Sequence, residues 1–115
     1  MITARPEALI VAPSFLWDGH EQRIVEFAAQ RQLPAIYHTR NLVKAGGLMA
    51  YGVNFLDLFR RTAAFVDTIL KGAKPGVLLV EQPATFELVI NLKTAKALGL
   101  TIPQSLLLRA DEAIQ

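Results

Sequence analysis

Cysteine is absent from the 115 residues, which excludes disulfides, thiolate metal sites and cysteine nucleophiles and leaves the redox compartment unspecified. Long apolar runs are missing too, since none approaches the ~20 residues of a membrane-spanning helix. The start, Met1-Ile2-Thr3-Ala4-Arg5-Pro6, carries neither the apolar region nor the small-residue cleavage site of an export signal. Charge is not concentrated anywhere. The net charge is +2, and lysine and arginine are scattered from Arg5 to Arg109 without a basic stripe interleaved with aromatics, so nucleic acid is not an expected partner. His20 and His38 are the only histidines, and neither sits in a metal-ligand spacing, so no metal or cofactor is expected. Ser14 lacks a G-x-S-x-G elbow, and no glycine series resembles a dinucleotide or phosphate loop. Catalysis has no positive signal; a small α/β hydrolase or transferase would need Ser14, His20 and His38 to act together.

What is present is the profile of one soluble globular domain, 52% hydrophobic and 19% charged. The run Ala8-Leu9-Ile10-Val11-Ala12, closed by Pro13, reads as a central strand covered on both faces of a parallel sheet. From Glu21 to Arg31 the apolar residues recur at helical spacing, and Asp18 with Glu21 resembles a capping box. Leu33-Pro34-Ala35-Ile36-Tyr37 then gives a second strand and completes a βαβ unit. The stretch His38 to Lys44 reads as polar connection. Leu48-Met49-Ala50-Tyr51 gives a third strand, ended by Gly52. Asn54 caps a helix over residues 55–71 that stops at Gly72 and carries a wide apolar stripe. Residues 77–80 and 86–90 read as extended, Asn91 caps a helix through Leu98, and Pro103 opens a last helical turn before a polar tail.

This layout is an α/β fold with a three-layer parallel sheet. Open sheets of that kind place ligands at the carboxyl ends of their strands. The candidates there are Ser14, Phe15 and Trp17 after the first strand, Tyr37 and His38 after the second, and Tyr51 and Asn54 after the third. Aromatic walls with a few hydrogen-bonding groups suit a small organic ligand, and the N-terminus of the Asn54 helix suits a carboxylate. Ser14, Phe15, Tyr37, Tyr51 and Asn54 form the expected site. On pattern alone, these aromatics also fit a simple cap on the sheet.

Four stretches together resemble one family: Leu33-Pro34-Ala35-Ile36-Tyr37, Ala45-Gly46-Gly47-Leu48-Met49-Ala50-Tyr51-Gly52, Ile69-Leu70-Lys71-Gly72-Ala73-Lys74-Pro75, and residues 86–100. They resemble the ABC transporter substrate-binding proteins with the type I periplasmic-binding fold. Members are well over twice this length, begin with an export or lipoprotein signal, and hold their ligand between two α/β lobes. The likeness is to their C-terminal half. It implies a single domain corresponding to that half, divided into a second-lobe βαβ core (1–52), a crossover helix (53–72) and a C-terminal segment (73–115). It also implies a small amino-acid-like or carboxylate-bearing ligand, an ABC permease as partner and a periplasmic location, or a cytoplasmic one if this chain is the full product. The unpaired stripe on the helix that begins after Asn54 and ends near Lys71 implies a homodimer or higher assembly. The alternative is a structural remnant that oligomerises and transports nothing.

Overall fold

Alternation along short apolar strands decides which side chains enter the core. In the computed structural model, which describes residues 5–115, the strands are β1 (Leu9–Val11), β2 (Ala35–Tyr37), β3 (Met49–Val53), β4 (Phe86–Asn91) and β5 (Glu112–Ile114). The helices are α1 (Glu21–Gln30), α2 (Arg40–Lys44), α3 (Phe55–Leu70), α4 (Leu92–Ala97) and α5 (Gln104–Leu107). Met1 to Ala4, part of the N-terminus read as lacking an export signal, lie outside the described residues. The chain divides into two compact units, one running to Gly52 and resuming over Glu87–Gln115, the other Val53–Phe86.

The sheet order is β1-β2-β3-β4-β5. Strands β1, β2 and β3 are parallel, with Val11 opposite Tyr37 and Tyr37 opposite Ala50, and β4 and β5 are parallel to each other. The direction reverses between β3 and β4. The Asn91 amide donates to the Leu48 carbonyl at 2.8 Å, and the Asn54 amide donates to that of Thr85 at 3.2 Å. The end of β4 therefore lies beside the start of β3, and the two strands are antiparallel. The fold is α/β as expected, with the first three strands parallel and one reversal of direction between β3 and β4.

The main core cluster lies on one face of the first unit's sheet: Val11, Ala35, Tyr37, Ala50 and Val89 pack with Val25 and Ala28 of α1 and Leu42 and Val43 of α2, while Ile90, on the other face of β4, is also fully buried. Leu42 and Val43 are 1% and 0% exposed, and each such side chain contributes roughly 1.5–3 kcal/mol by leaving water. The opposite face carries Ile10, Ile36 and Met49, which are register partners. Ile10 is 80% exposed. Strand β1 is thus an edge strand, open on one face, and the expectation of a central strand covered on both faces is corrected.

Other local readings change for identifiable reasons. Helix α1 begins at Glu21 with His20 at its cap and no side-chain cap bond; Asp18 lies in the preceding turn, closed by the His20 amide on the Trp17 carbonyl, so the capping box does not form. Gly52 lies within β3 and does not end it. Residues 38–44 are not simple connection, because Thr39 accepts the Asn41 amide at 3.0 Å and starts α2. Residues 77–80 are not a strand: Pro75 presets a 3-10 turn over Pro75–Val77. The polar tail contains β5, whose backbone pairs with β4.

The second unit is built on α3. Asn54 accepts the Asp57 amide at 3.1 Å, and the helix closes through Gly72 at φ 104°. There the Gly72 amide bonds to Ile69 and the Ala73 amide to Thr68, the paired bonds of a Schellman stop. Arg61 pairs with Glu81 on the returning segment.

Candidate functional site

The three parallel strands of the first unit end on the same side of the sheet, and their following residues are held by short-range bonds. After β1, the Ser14 hydroxyl accepts the Leu16 amide at 3.3 Å and starts a 3-10 turn over Phe15–Trp17. The Trp17 indole N–H donates to the Ala12 carbonyl at 3.1 Å. That bond folds the turn back on the strand end and leaves Phe15 95% exposed. After β2, His38 Nδ1 stands 3.4 Å from the Val11 carbonyl, tying the ends of β1 and β2 together. Within β3, Tyr51 is 57% exposed.

Tyr37 stands apart from these residues. It is 2% exposed and belongs to the core, because strand alternation points it to the same face as Val11 and Ala50. Burial raises its phenol above the ordinary value of 10.0. From this position it offers no wall to a ligand; Ser14 and Phe15 follow the end of β1, and Tyr51 lies in β3 one residue beyond the register partner of Tyr37. Asn54 belongs to the second unit, where its side-chain oxygen caps α3.

Two features were not legible as site features in the sequence. Gly52 approaches His38 so closely that a Cβ would overlap the His38 carbonyl oxygen and stand 3.0 Å from its carbonyl carbon. Arg40, the first residue of α2, pairs with Glu87 at 3.3 Å and also with Glu112. A glutamate inside the apolar run Phe86-Glu87-Leu88-Val89-Ile90 was the available signal, since a charge on a largely covered strand needs a partner. An open apolar groove of about 670 Å³ also runs along β1 and α1, lined by Ile10, Leu16, Trp17, Ile24 and Phe27. Of the expected site residues, only Ser14 reaches it. Among the described residues no group of three or more metal-ligating side chains gathers, and no helix is long and apolar enough to cross a membrane.

The sequence model of the family described as ABC transporter substrate binding protein matches residues 3–114. The chain belongs to the ABC transporter substrate-binding protein family. Two similar solved structures agree. A conserved domain protein from Vibrio cholerae is 27% identical with a TM-score of 0.86, over 93% of this chain and 36% of that one. An ABC domain from Streptococcus pneumoniae, in complex with L-Trp, is 30% identical with a TM-score of 0.85, over 94% of this chain and 38% of that one. A substrate-binding protein with adhesive properties from Clostridium difficile, 21% identical with a TM-score of 0.66 over 94% of this chain and 36% of that one, shares the fold. No curated protein matches the chain. This ABC substrate-binding family chain therefore spans a little over a third of the length of these solved structures.

Proposed function

We propose that this chain is the ligand-binding part of a solute-binding component of an ABC-type importer, taking a small amino-acid-like or other carboxylate-bearing molecule without catalysis. The observation that carries the reading is the common end of β1, β2 and β3, where Ser14, Phe15 and Tyr51 are presented in a chain of a substrate-binding family. Phe15 and Tyr51 supply aromatic walls, whose faces bind apolar or aromatic solute bodies at low conformational cost. Ser14 supplies a hydroxyl for polar orientation. Tyr37 is left out of the proposed site. The similarity to a domain in complex with L-Trp supports an amino-acid-like solute. By the same reading the partner is an ABC permease, and the compartment is outside the cytoplasmic membrane.

A titration of the purified chain with amino acids and small carboxylates tests this, because a ligand bound only by the folded state raises the melting temperature in a saturable way. Tyr51→Ala is expected to abolish that shift with little loss of folding. Full affinity in Tyr51→Ala would remove Tyr51 from the site.

The reading includes self-association through α3. None of its residues is buried, and Phe55, Leu56, Phe59, Val66 and Leu70 are 50–81% exposed, a stripe that water does not stabilise. Light scattering should give a mass at least twice the 12.7 kDa of one chain; a monomer mass at every concentration contradicts this element.

A further inference from the structure

The polypeptide leaves the first unit after Gly52 and re-enters it at Glu87, and both junction residues are braced by the segment that follows β2. On the way out, Gly52 packs against the His38 carbonyl with no room for a Cβ. On the way back, Glu87 is held by Arg40 two residues further along, at 3.3 Å, and the same guanidinium holds Glu112 at the start of β5. Thr39 fixes the start of α2 by its cap bond, so the Arg40 side chain projects from an anchored backbone. A planar guanidinium can hold two carboxylates at once with separate nitrogens, as a lysine ammonium cannot do with the same geometry.

The arrangement is a poor way to gain stability. The Glu87 side chain is only 12% exposed, and the Arg40 Nε is buried without a hydrogen-bond partner among the described residues. A pair as covered as Arg40–Glu87 roughly breaks even against apolar packing, and the pair with Glu112, whose side chain is 40% exposed, contributes little. A use in positioning accounts for them better.

We propose that Arg40 is a hinge clamp. Together with the His38–Gly52 contact it fixes the two junction residues of the first unit, so that bending of the chain crossings is confined to residues 53–54 and 85–86. Beyond the clamp the crossings keep the bond from the Asn54 amide to the Thr85 carbonyl; inside it, the Leu88 amide donates to the Asp111 carboxylate at 2.7 Å and the Asp111 amide to the Leu88 carbonyl at 2.8 Å. The junction residues are thus tied to β2, β4 and β5 at once. Nothing in this depends on the identity of the ligand or on whether the chain binds one.

Residue-resolved amide hydrogen exchange on the ligand-free chain tests it, comparing Arg40→Met, Arg40→Lys and Glu112→Gln with the parent. In Arg40→Met, amides of residues 51–53, 86–88 and 111–112 should exchange about tenfold faster or more, with those of α1 and β1 unchanged, since local opening is read separately from global unfolding. Arg40→Lys should give a smaller acceleration at the same amides. Glu112→Gln should accelerate residues 111–114 and leave 51–53 unchanged. Uniform acceleration through α1 and β1 would overturn the proposal, as would parent-like exchange at 86–88 in Arg40→Met. If Arg40→Met does not fold, parent-like exchange at 86–88 in Arg40→Lys overturns it equally.

Discussion

Replacing Gly52 by alanine adds one methyl group at the tightest backbone contact at this end of the first unit. The new Cβ would overlap the His38 carbonyl oxygen and lie 3.0 Å from the carbonyl carbon, whereas carbon and oxygen rest about 3.3–3.6 Å apart even in close C–H···O contacts. Relief requires the ends of β2 and β3 to separate by about an ångström. His38 does not give way cheaply, because its ring meets the Val11 carbonyl and Thr39 beside it caps α2. Overpacking of this kind costs about 1–3 kcal/mol, and weakening one hydrogen bond between the strand ends adds about 1 kcal/mol. The sum, about 2–4 kcal/mol, lowers the melting temperature of a domain this size by roughly 10–20 °C. Urea unfolding followed by circular dichroism measures it directly. Gly76→Ala is the matched control, since nothing lies within 4 Å of a Cβ there, and it should stay within about 0.5 kcal/mol of the parent. If Gly52→Ala behaves like Gly76→Ala, the close approach of the two strands is wrong.

Two further predictions concern stability. Gln32 is the only non-glycine residue at positive φ among the described residues (φ 52°), and it closes α1 with the Leu33 amide on the Ala28 carbonyl; Gln32→Gly should therefore stabilise the chain by about 0.5–1 kcal/mol in urea unfolding, and a loss of stability contradicts this. Tyr37 titrates above its ordinary value of 10.0 when folded, so the unfolded chain loses this proton first. Its contribution is fully present below pH ~10 and is lost as the pH rises through the folded value, at up to ~1.4 kcal/mol per pH unit. Tyr37→Phe should flatten that decline above pH ~10 in urea titrations, and an unchanged decline contradicts the burial argument.

The parts of the fold that were legible in the sequence are those where period or punctuation is unambiguous. Apolar residues at helical spacing located α1, Asn54 and Gly72 bounded α3 to within a residue of its end at Leu70, and Asn91 marked the start of α4. The strands were found, but not their faces. Ala35-Ile36-Tyr37 is apolar throughout, so it carries no alternation from which to tell which residues point inward, and Tyr37 was assigned to the site although the register puts it in the core. Nor does a strand state its direction: the long excursion between β3 and β4 permits either sense, and only the Asn91 and Asn54 backbone bonds decide it. Helix α2 and strand β5 are too short for a pattern and depend on Thr39 and on β4, respectively. Near the strand ends, the pattern located the segments that carry Ser14, Phe15 and Tyr51, whereas the Arg40 pairs join residues 47 and 72 positions apart, beyond the reach of local reading.

Isothermal titration of the chain and of Tyr51→Ala with L-Trp and a panel of other amino acids shows whether an amino-acid-like solute is held at the common end of β1, β2 and β3. Saturable binding of at least one of them to the parent chain, and none to a folded Tyr51→Ala, is the expected result. Absence of binding across the panel, or equal affinity in both proteins, would contradict it.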